Sequence, residues 1–192
     1  MAVTRPSAQS RPPVLTGQAI RHSATGRSYS GHTIPLVAAR RPVRHLVYLC
    51  AWVPEIGKSF ADQLRDEPRQ LNPALYKGLE FDGQSRAVWA DVGLAQALIY
   101  ADCDEPTAQA AIKRLRPQAA GGFVLPFSLA EFPAVSCTSI ICSEDQLLNG
   151  EWAKRIARDR LGADLVELPG SHSPFLSRPS ALADVLLHLA ET

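Results

Sequence analysis

Three residues that together could cleave an ester lie far apart in the chain, in the order serine, acid, histidine. Ser28 lies in the segment 26–31, Asp145 follows an apolar run at 136–142, and His172 lies in the loop 168–179. A serine hydroxyl is a poor nucleophile at neutral pH, so it needs a base within hydrogen-bond reach and an acceptor that orients that base. The residue types therefore predict acyl transfer by Ser28, with His172 as the base and an acid from the turn 143–145.

The elements around these residues are of the kind that could bring them together. A short apolar run at 164–168 predicts a strand, and apolar residues at helical spacing predict a helix over 180–190, so His172 is carried on a Gly/Pro/Ser-rich loop between them. Loops held by a rigid frame are where catalytic groups tend to lie. The run at 136–142 predicts a second strand, which ends just before Glu144 and Asp145, and either carboxylate could serve as the acid.

Upstream, the pattern predicts a strand, helix, strand unit around Ser28. Residues 33–40 suit a helix that begins soon after Ser28, and residues 45–52 are apolar throughout, which is typical of a parallel strand buried on both faces. A helix is also predicted over 105–116, capped by Asp104, and another over 151–161. The alternation favours an α/β fold.

From Gly26 to the C-terminus the chain resembles the α/β-hydrolase superfamily, in the branch of small esterases, methylesterases and hydroxynitrile lyases. The segments 26–31 with 34–42, 45–51, 143–145 and 170–179 carry the resemblance. The order serine, acid, histidine is that of the superfamily triad. The resemblance implies that Ser28, Asp145 and His172 are catalytic, with Asp145 preferred over Glu144, and that the N–H of Tyr29 is an oxyanion donor.

The resemblance also implies the architecture. It predicts a partial α/β-hydrolase fold: the C-terminal half of a mostly parallel sheet flanked by helices, with a helical cap insertion at about 54–132 that covers the cleft. Phe60, Trp89 and Phe127 are the aromatic residues expected to bind substrate from this cap. Residues 1–25 are expected to be a disordered leader, and residues 26–192 the partial hydrolase domain.

Two departures from the family pattern affect these expectations. The family elbow is G-x-S-x-G, whereas Ser30 occupies the second glycine position, where a side chain would cost roughly 1 kcal/mol or more if its φ had to be positive. Only 27 residues precede Ser28, too few for the first four strands and for the loop that gives the second oxyanion donor. We therefore expect a truncated or degenerate member, with an unpaired sheet edge through which the chain would self-associate.

Composition excludes several other classes. The net charge of +1 gives no reason to expect a nucleic-acid partner, and the longest apolar run, residues 46–53, is far below the ~20 residues of a membrane helix. The chain lacks H-E-x-x-H, a cysteine pair of the zinc-binding type, G-x-G-x-x-G and a P-loop, so nothing argues for a metal or another cofactor. A soluble cytoplasmic protein that acts on a small-molecule ester is expected.

Three functions remain open at this point. The retained residues favour a serine esterase that cleaves small apolar esters. A hydroxynitrile lyase reuses the same triad, but the resemblance places a lysine after the catalytic histidine in that branch, where this chain has Ser173. A non-catalytic fragment is the third hypothesis, favoured by the missing strands and by Ser30.

Overall fold

A parallel sheet of four strands carries the fold in the computed structural model, which describes residues 22–191. In chain order, the strands are β1 Ser23–Arg27, β2 His45–Leu49, β3 Leu79–Phe81, β4 Arg86–Trp89, β5 Gln118–Ala119, β6 Ser136–Cys142 and β7 Asp164–Leu168. The four-stranded sheet has the order β1-β2-β6-β7, and each neighbouring pair is parallel. The expected class, a partial α/β-hydrolase fold with a mostly parallel sheet, is confirmed.

Nine α-helices and two 3-10 turns connect these strands within residues 22–191. The helices are α1 Ile34–Ala38, α2 Phe60–Asp66, α3 Leu75–Gly78, α4 Val92–Ile99, α5 Glu105–Ile112, α6 Gly121–Val124, α7 Gly150–Leu161, α8 Pro174–Ser177 and α9 Pro179–Glu191; the 3-10 turns are Ser28–His32 and Pro68–Gln70. Helix α1 is shorter than predicted because the residues after β1 first form a 3-10 turn. Helix α5 ends at Ile112, before the predicted end at 116.

The two inner strands, β2 and β6, are buried on both faces, as their continuous apolar sequence predicts. Leu46, Tyr48 and Ile141 belong to a core shared with α7, whereas Val47 and Ile140 pack with Leu182 of α9. Strands β6 and β7 have the predicted bounds. Helices on both faces thus hold the carboxyl ends of the strands, where Ser28, Asp145 and His172 follow β1, β6 and β7.

Residues 54–132, where the cap insertion is expected and which we call the cap segment, contain strands as well as helices. Besides α2–α6, it contains a small antiparallel sheet of β3, β4 and β5. The Asp82 carboxylate closes the β3–β4 turn, accepting from the N–H of Gln84 and Arg86 and pairing with the Arg86 side chain. Such a short hairpin carries too few alternating residues to stand out in the sequence.

The start of the cap segment is tied to the main sheet through Arg160 of α7. The guanidinium donates to the carbonyl of Val53 and the amide oxygen of Gln63, each at 2.8 Å, and to the carboxylate of Glu55 at 2.7 Å. Burial lowers the pKa of Arg160, and the charge of Glu55 opposes that shift. One side chain of α7 therefore joins this helix to the start of the cap segment and to Val53 just before it.

The first described strand begins earlier than the sequence suggested. Strand β1 starts at Ser23, inside the expected leader, because its pairing with β2 from Ser23 to Arg27 supplies backbone hydrogen bonds that override a weak strand propensity. The remaining leader residues, 1–21, lie outside the described residues. Within residues 22–191, β1 pairs with β2 alone, and self-association through its other edge stays a prediction.

None of the helices within residues 22–191 is both long enough and apolar enough to cross a bilayer.

Candidate active site

A cavity of about 460 Å³ lies between the carboxyl ends of the sheet strands and the cap segment. Its wall includes Ser28 and His172, together with Trp52 and residues of α2, α3, β3 and β4. Another depression, about 620 Å³, lies between residues 67–70 and α7, but it is open and touches none of Ser28, Asp145 and His172. The smaller, apolar cavity is therefore the one in which the three residues could act on a bound molecule.

Ser28 sits at a sharp turn directly after β1. Its φ is +52°, one of three positive values at non-glycine positions among residues 22–191, and its carbonyl accepts a hydrogen bond from the N–H of Trp52 at 3.0 Å. The left-handed conformation costs a non-glycine residue about 1–2 kcal/mol and is found mainly at functional sites. This strand-to-turn geometry is the one a nucleophile elbow requires.

Ser30 does not carry the strain that its position in the pattern suggested. Its side chain is exposed, and Ser30 is not among the positive-φ residues of the described range. The close approach falls instead on Gly31, where a Cβ would lie 1.9 Å from the carbonyl oxygen of Trp52. The turn packs closely against Trp52 because Gly31 has no side chain. The backbone strain expected at Ser30 is absent.

Asp145 is held by three hydrogen-bonding partners around its carboxylate. Oδ1 accepts hydrogen bonds from the N–H of Leu147 and Leu148, each at 2.9 Å, and Oδ2 lies 2.8 Å from Nδ1 of His172. The side chain of Glu144 is exposed and makes no contact of this kind in the described structure. The structure therefore brings Asp145, not Glu144, to the histidine.

His172 is almost completely buried, with 1% of its surface exposed. While Nδ1 faces Asp145, Nε2 has no hydrogen-bond partner and belongs to a ring that lines the cavity. The backbone N–H groups of Ser143 and Glu144 donate to the carbonyls of Leu168 and Gly170, so the acid turn and the histidine loop (residues 169–173) are hydrogen-bonded to each other. An imidazole with one nitrogen bound and the other unpartnered is suited to accept a proton from a hydroxyl.

Asp102, at the end of the α4–α5 turn, holds both ends of the segment that carries His172. Ser171 Oγ donates to its carboxylate, and Arg178 Nε lies 3.5 Å from Oδ2. Gly170, with φ +107°, passes so close that a Cβ there would lie 2.5 Å from Asp102 Oδ2. Sequence reasoning missed Asp102, because no local pattern signals a contact with a residue 69 positions away.

The aromatic residues expected to bind substrate are divided by the structure. Phe60 and Trp89 line the cavity, whereas Phe127 is buried outside its wall and packs against Phe132 and His32. Phe127 was therefore placed wrongly, since a buried aromatic in a cap packs as readily against neighbouring rings as it lines a cleft. No feature of the sequence separates these two environments.

Tyr29 follows Ser28 and packs at the cavity wall. Its ring lies 4.9 Å from those of His32 and Phe123, and its hydroxyl donates to the carbonyl of Gly122 at 2.7 Å. Burial lowers the pKa of His32 to about 4, and the charge of Arg160 acts in the same direction. This anchoring fixes the backbone at Tyr29, whose N–H is the expected oxyanion donor.

Cys50 lies beside the acid and the histidine, and all three side chains carry atoms that can bind a metal. Their nearest ligand atoms all lie within 4.8 Å of one another. A hydrogen bond with Cys142, followed by burial, raises the pKa of the Cys50 thiol well above its ordinary value. Metals bind the thiolate, and Asp145 and His172 already bind each other, so this set does not favour a metal.

Comparisons with known proteins point to one family. The model of the alpha/beta hydrolase family matches residues 17–185. The alpha/beta hydrolase nvfD of Aspergillus novofumigatus is 27% identical to this chain, over 99% of this chain and 84% of its own length.

Two solved structures resemble the fold. A pyrethroid hydrolase from Sphingobium faniae JZ-2 superposes with a TM-score of 0.72 at 20% identity, over 88% of this chain and 70% of its own. The methylesterase MES16 from Arabidopsis gives 0.70 at 18% identity, over 92% and 73%.

Proposed function

Because this chain belongs to the alpha/beta hydrolase family, we propose that it is a serine hydrolase that cleaves small, apolar carboxylic esters. Ser28 is the nucleophile, His172 the general base and acid, and Asp145 the carboxylate that orients His172. The observation that carries the proposal is the imidazole of His172: bound to Asp145 through Nδ1, unpartnered at Nε2, and facing the same cavity as the strained Ser28.

The proposed reaction has two steps. Nε2 of His172 takes the Ser28 hydroxyl proton while Oγ bonds to the ester carbonyl carbon, and the N–H of Tyr29 donates to the resulting oxyanion. The carbonyl re-forms as the bond to the alcohol oxygen breaks, and His172 returns its proton to that oxygen. A water then cleaves the acyl-enzyme by the same route, releasing the acid and restoring Ser28.

The cavity wall supports an apolar substrate. Trp52, Phe60 and Trp89 contribute aromatic surface, and half of the remaining lining residues are aliphatic. Burial of apolar ligand surface is worth roughly 25 cal/mol per Å² before the costs of association. The names of the relatives, a pyrethroid hydrolase and a methylesterase, also favour an ester as substrate. Trp89 and Phe60 are therefore proposed as substrate-binding residues.

Covalent labelling tests the assignment of the nucleophile. A fluorophosphonate probe should label Ser28, and Ser28→Ala should lose both labelling and turnover of a short-chain aryl ester by at least about 10³-fold. Ser30→Ala is the matched control, since this exposed serine lies two residues away, and it should retain both. Equal labelling of the Ser28→Ala variant would remove Ser28 from the mechanism.

The other hypotheses give different results in the same assays. A non-catalytic fragment would neither label nor hydrolyse the ester. A hydroxynitrile lyase would release cyanide from an aromatic cyanohydrin, and Ser173 after the histidine argues against that outcome.

A further inference from the structure

The charges in the cavity wall are all of one sign. Two cationic side chains line it, Arg27 and Arg116, and among the lining residues that the structure describes there is no Asp or Glu. Most of the other lining residues are apolar, so both arginines lie in the wall of a cavity of low polarity. A charge in such a region interacts more strongly with an incoming ion than it would in water.

Arg27 is the more buried of the two arginines, and it directly precedes Ser28 in the chain. Its Nη2 donates to Ser173 Oγ at 3.3 Å, and its Cζ lies 4.7 Å from the ring centroid of Phe175. Nε is buried without a hydrogen-bond partner, and Arg27 forms no ion pair with any residue of the range 22–191. Burial lowers the pKa of Arg27, and the charges of the surrounding residues do not fully offset this loss of hydration.

Asp145 is the carboxylate whose charge acts on Arg27, but it already has other partners. Both oxygens of Asp145 already accept hydrogen bonds, from two backbone N–H groups and from His172. Its charge does oppose the shift in the pKa of Arg27, but less than burial promotes it. Arg27 therefore leaves unmatched positive charge beside Ser28.

Arg116 supplies the second cation from the cap segment. It follows α5, its side chain is exposed, and it makes no ion pair in the described part of the chain. A planar guanidinium matches a carboxylate through paired N–H donors. An exposed arginine without a partner can bind such a group as it enters the cavity.

We infer that the preferred substrates are esters that carry a carboxylate on an otherwise apolar frame, such as half-esters of dicarboxylic acids, with Arg27 and Arg116 as the residues that recognise the charge. This inference rests on the proposed ester hydrolysis and adds the substrate class. The reaction itself is unchanged: water adds across the acyl–oxygen bond, and the products are a dicarboxylate and an alcohol.

Two aryl esters that differ only in charge test the inference. The mono-para-nitrophenyl ester of adipic acid carries a carboxylate where para-nitrophenyl hexanoate carries a methyl group. The measured quantity is the ratio of kcat/KM for the anionic ester to that for the neutral ester, after subtraction of the enzyme-free rate. We expect Arg27→Gln to lower this ratio about tenfold or more, and the exposed Arg116→Gln to lower it about threefold.

Arg114→Gln is the matched control, because it removes the same charge from an exposed arginine that does not line the cavity. Its ratio should equal that of the native protein. Arg116→Glu should lower the ratio further than Arg116→Gln, and it serves if Arg27→Gln fails to fold. Equal ratios in the native protein, Arg116→Gln and Arg116→Glu would overturn the charge recognition while leaving ester hydrolysis intact, whereas no turnover of either ester would overturn the hydrolase proposal itself.

Discussion

The side chains of Asp145 and Asp102 make the contacts that position the acid and the histidine, whereas the serine is positioned by its own backbone. Asp145 accepts from two N–H groups and contacts His172, and Asp102 contacts Ser171 and Arg178 on either side of His172. Ser28 is positioned by its own φ of +52° and by the hydrogen bond that its carbonyl accepts from the N–H of Trp52. The two parts of the site are thus positioned in different ways. Substitutions around Asp145 and His172 should lower turnover, whereas substitutions of Ser28 should also change the backbone strain.

The largest effect is expected on the side-chain-held half, at Asp145. Asp145→Asn keeps the shape and one oxygen for the backbone N–H groups but places an amide where the imidazolium needs a carboxylate, and kcat should fall about 10⁴-fold. Ester turnover measures this. Glu144→Gln, the exposed neighbour, should remain near the native rate, and a comparable loss in that variant would contradict the assignment of the acid.

Asp102 tests whether the histidine loop depends on a contact outside the triad. Asp102→Asn weakens the contacts to Ser171 and Arg178, and a loosened loop should lower kcat about 10- to 100-fold with little change in KM. The pH at which kcat is half-maximal should move as well, since the imidazole loses its fixed distance to Asp145.

Asp104→Asn is the matched control for Asp102. Asp104 caps α5 through the N–H of Thr107, and asparagine is an equally good cap, so this variant should behave like the native protein. A lower melting temperature with unchanged kcat in Asp102→Asn would assign Asp102 a structural role only.

The backbone-held half should be sensitive to acid through His32. Its pKa is about 4 in the folded protein, below the ordinary 6.5, so the unfolded chain binds the extra proton first as the pH falls. The stability that neutral His32 allows is complete above pH 6.5 and is lost as the pH falls toward 4. Between pH 7 and pH 5 the loss should be about 2 kcal/mol.

Denaturant unfolding at several pH values measures this dependence. His32→Phe keeps an aromatic ring against Tyr29 and Phe127 but cannot be protonated, so its stability should vary less over the same range. An identical pH dependence in the two proteins would exclude His32 as the cause.

The smallest effect on stability is expected at Ser28 itself. Ser28→Gly removes the side chain from a left-handed backbone position, and the free energy of unfolding should rise by about 1 kcal/mol while turnover is lost. Ser28→Ala retains a Cβ and should show no such gain, which makes it the control. If both variants were equally stable, the positive φ would carry no strain.

The sequence predicted the parts of this site that depend on local pattern. The bounds of β6 and β7, the loop that carries His172 and the cap of α5 by Asp104 all follow from apolar runs and from residues that favour turns or helix starts. The family resemblance then chose Asp145 over Glu144, and the structure places Asp145 against His172. Short-range signals were enough because each of these features lies within a few residues of its cause.

Features that depend on distant contacts could not be predicted. The contact of Asp102 with the histidine loop, the β3–β4–β5 sheet and the position of Phe127 outside the cavity arise from the packing of segments far apart in the chain. The elbow shows the same limit, since the pattern located the penalty at Ser30, whereas the backbone puts the strain at Ser28 and the close contact at Gly31. A motif identifies which residues turn the chain but not how the turn distributes its strain.

The three hydrogen bonds of Arg160 to Val53, Glu55 and Gln63 determine which end of the cap segment can move. They hold the first residues of the cap segment against the long helix α7, so this end of the cap segment is fixed. At the other end, around α6, Val124 and Leu125 are exposed, and widening of the cavity for a bulky molecule is expected there. Engineering for larger substrates would accordingly begin at Val124 and Leu125 and leave Gly122 and Phe123, which contact Tyr29, unchanged.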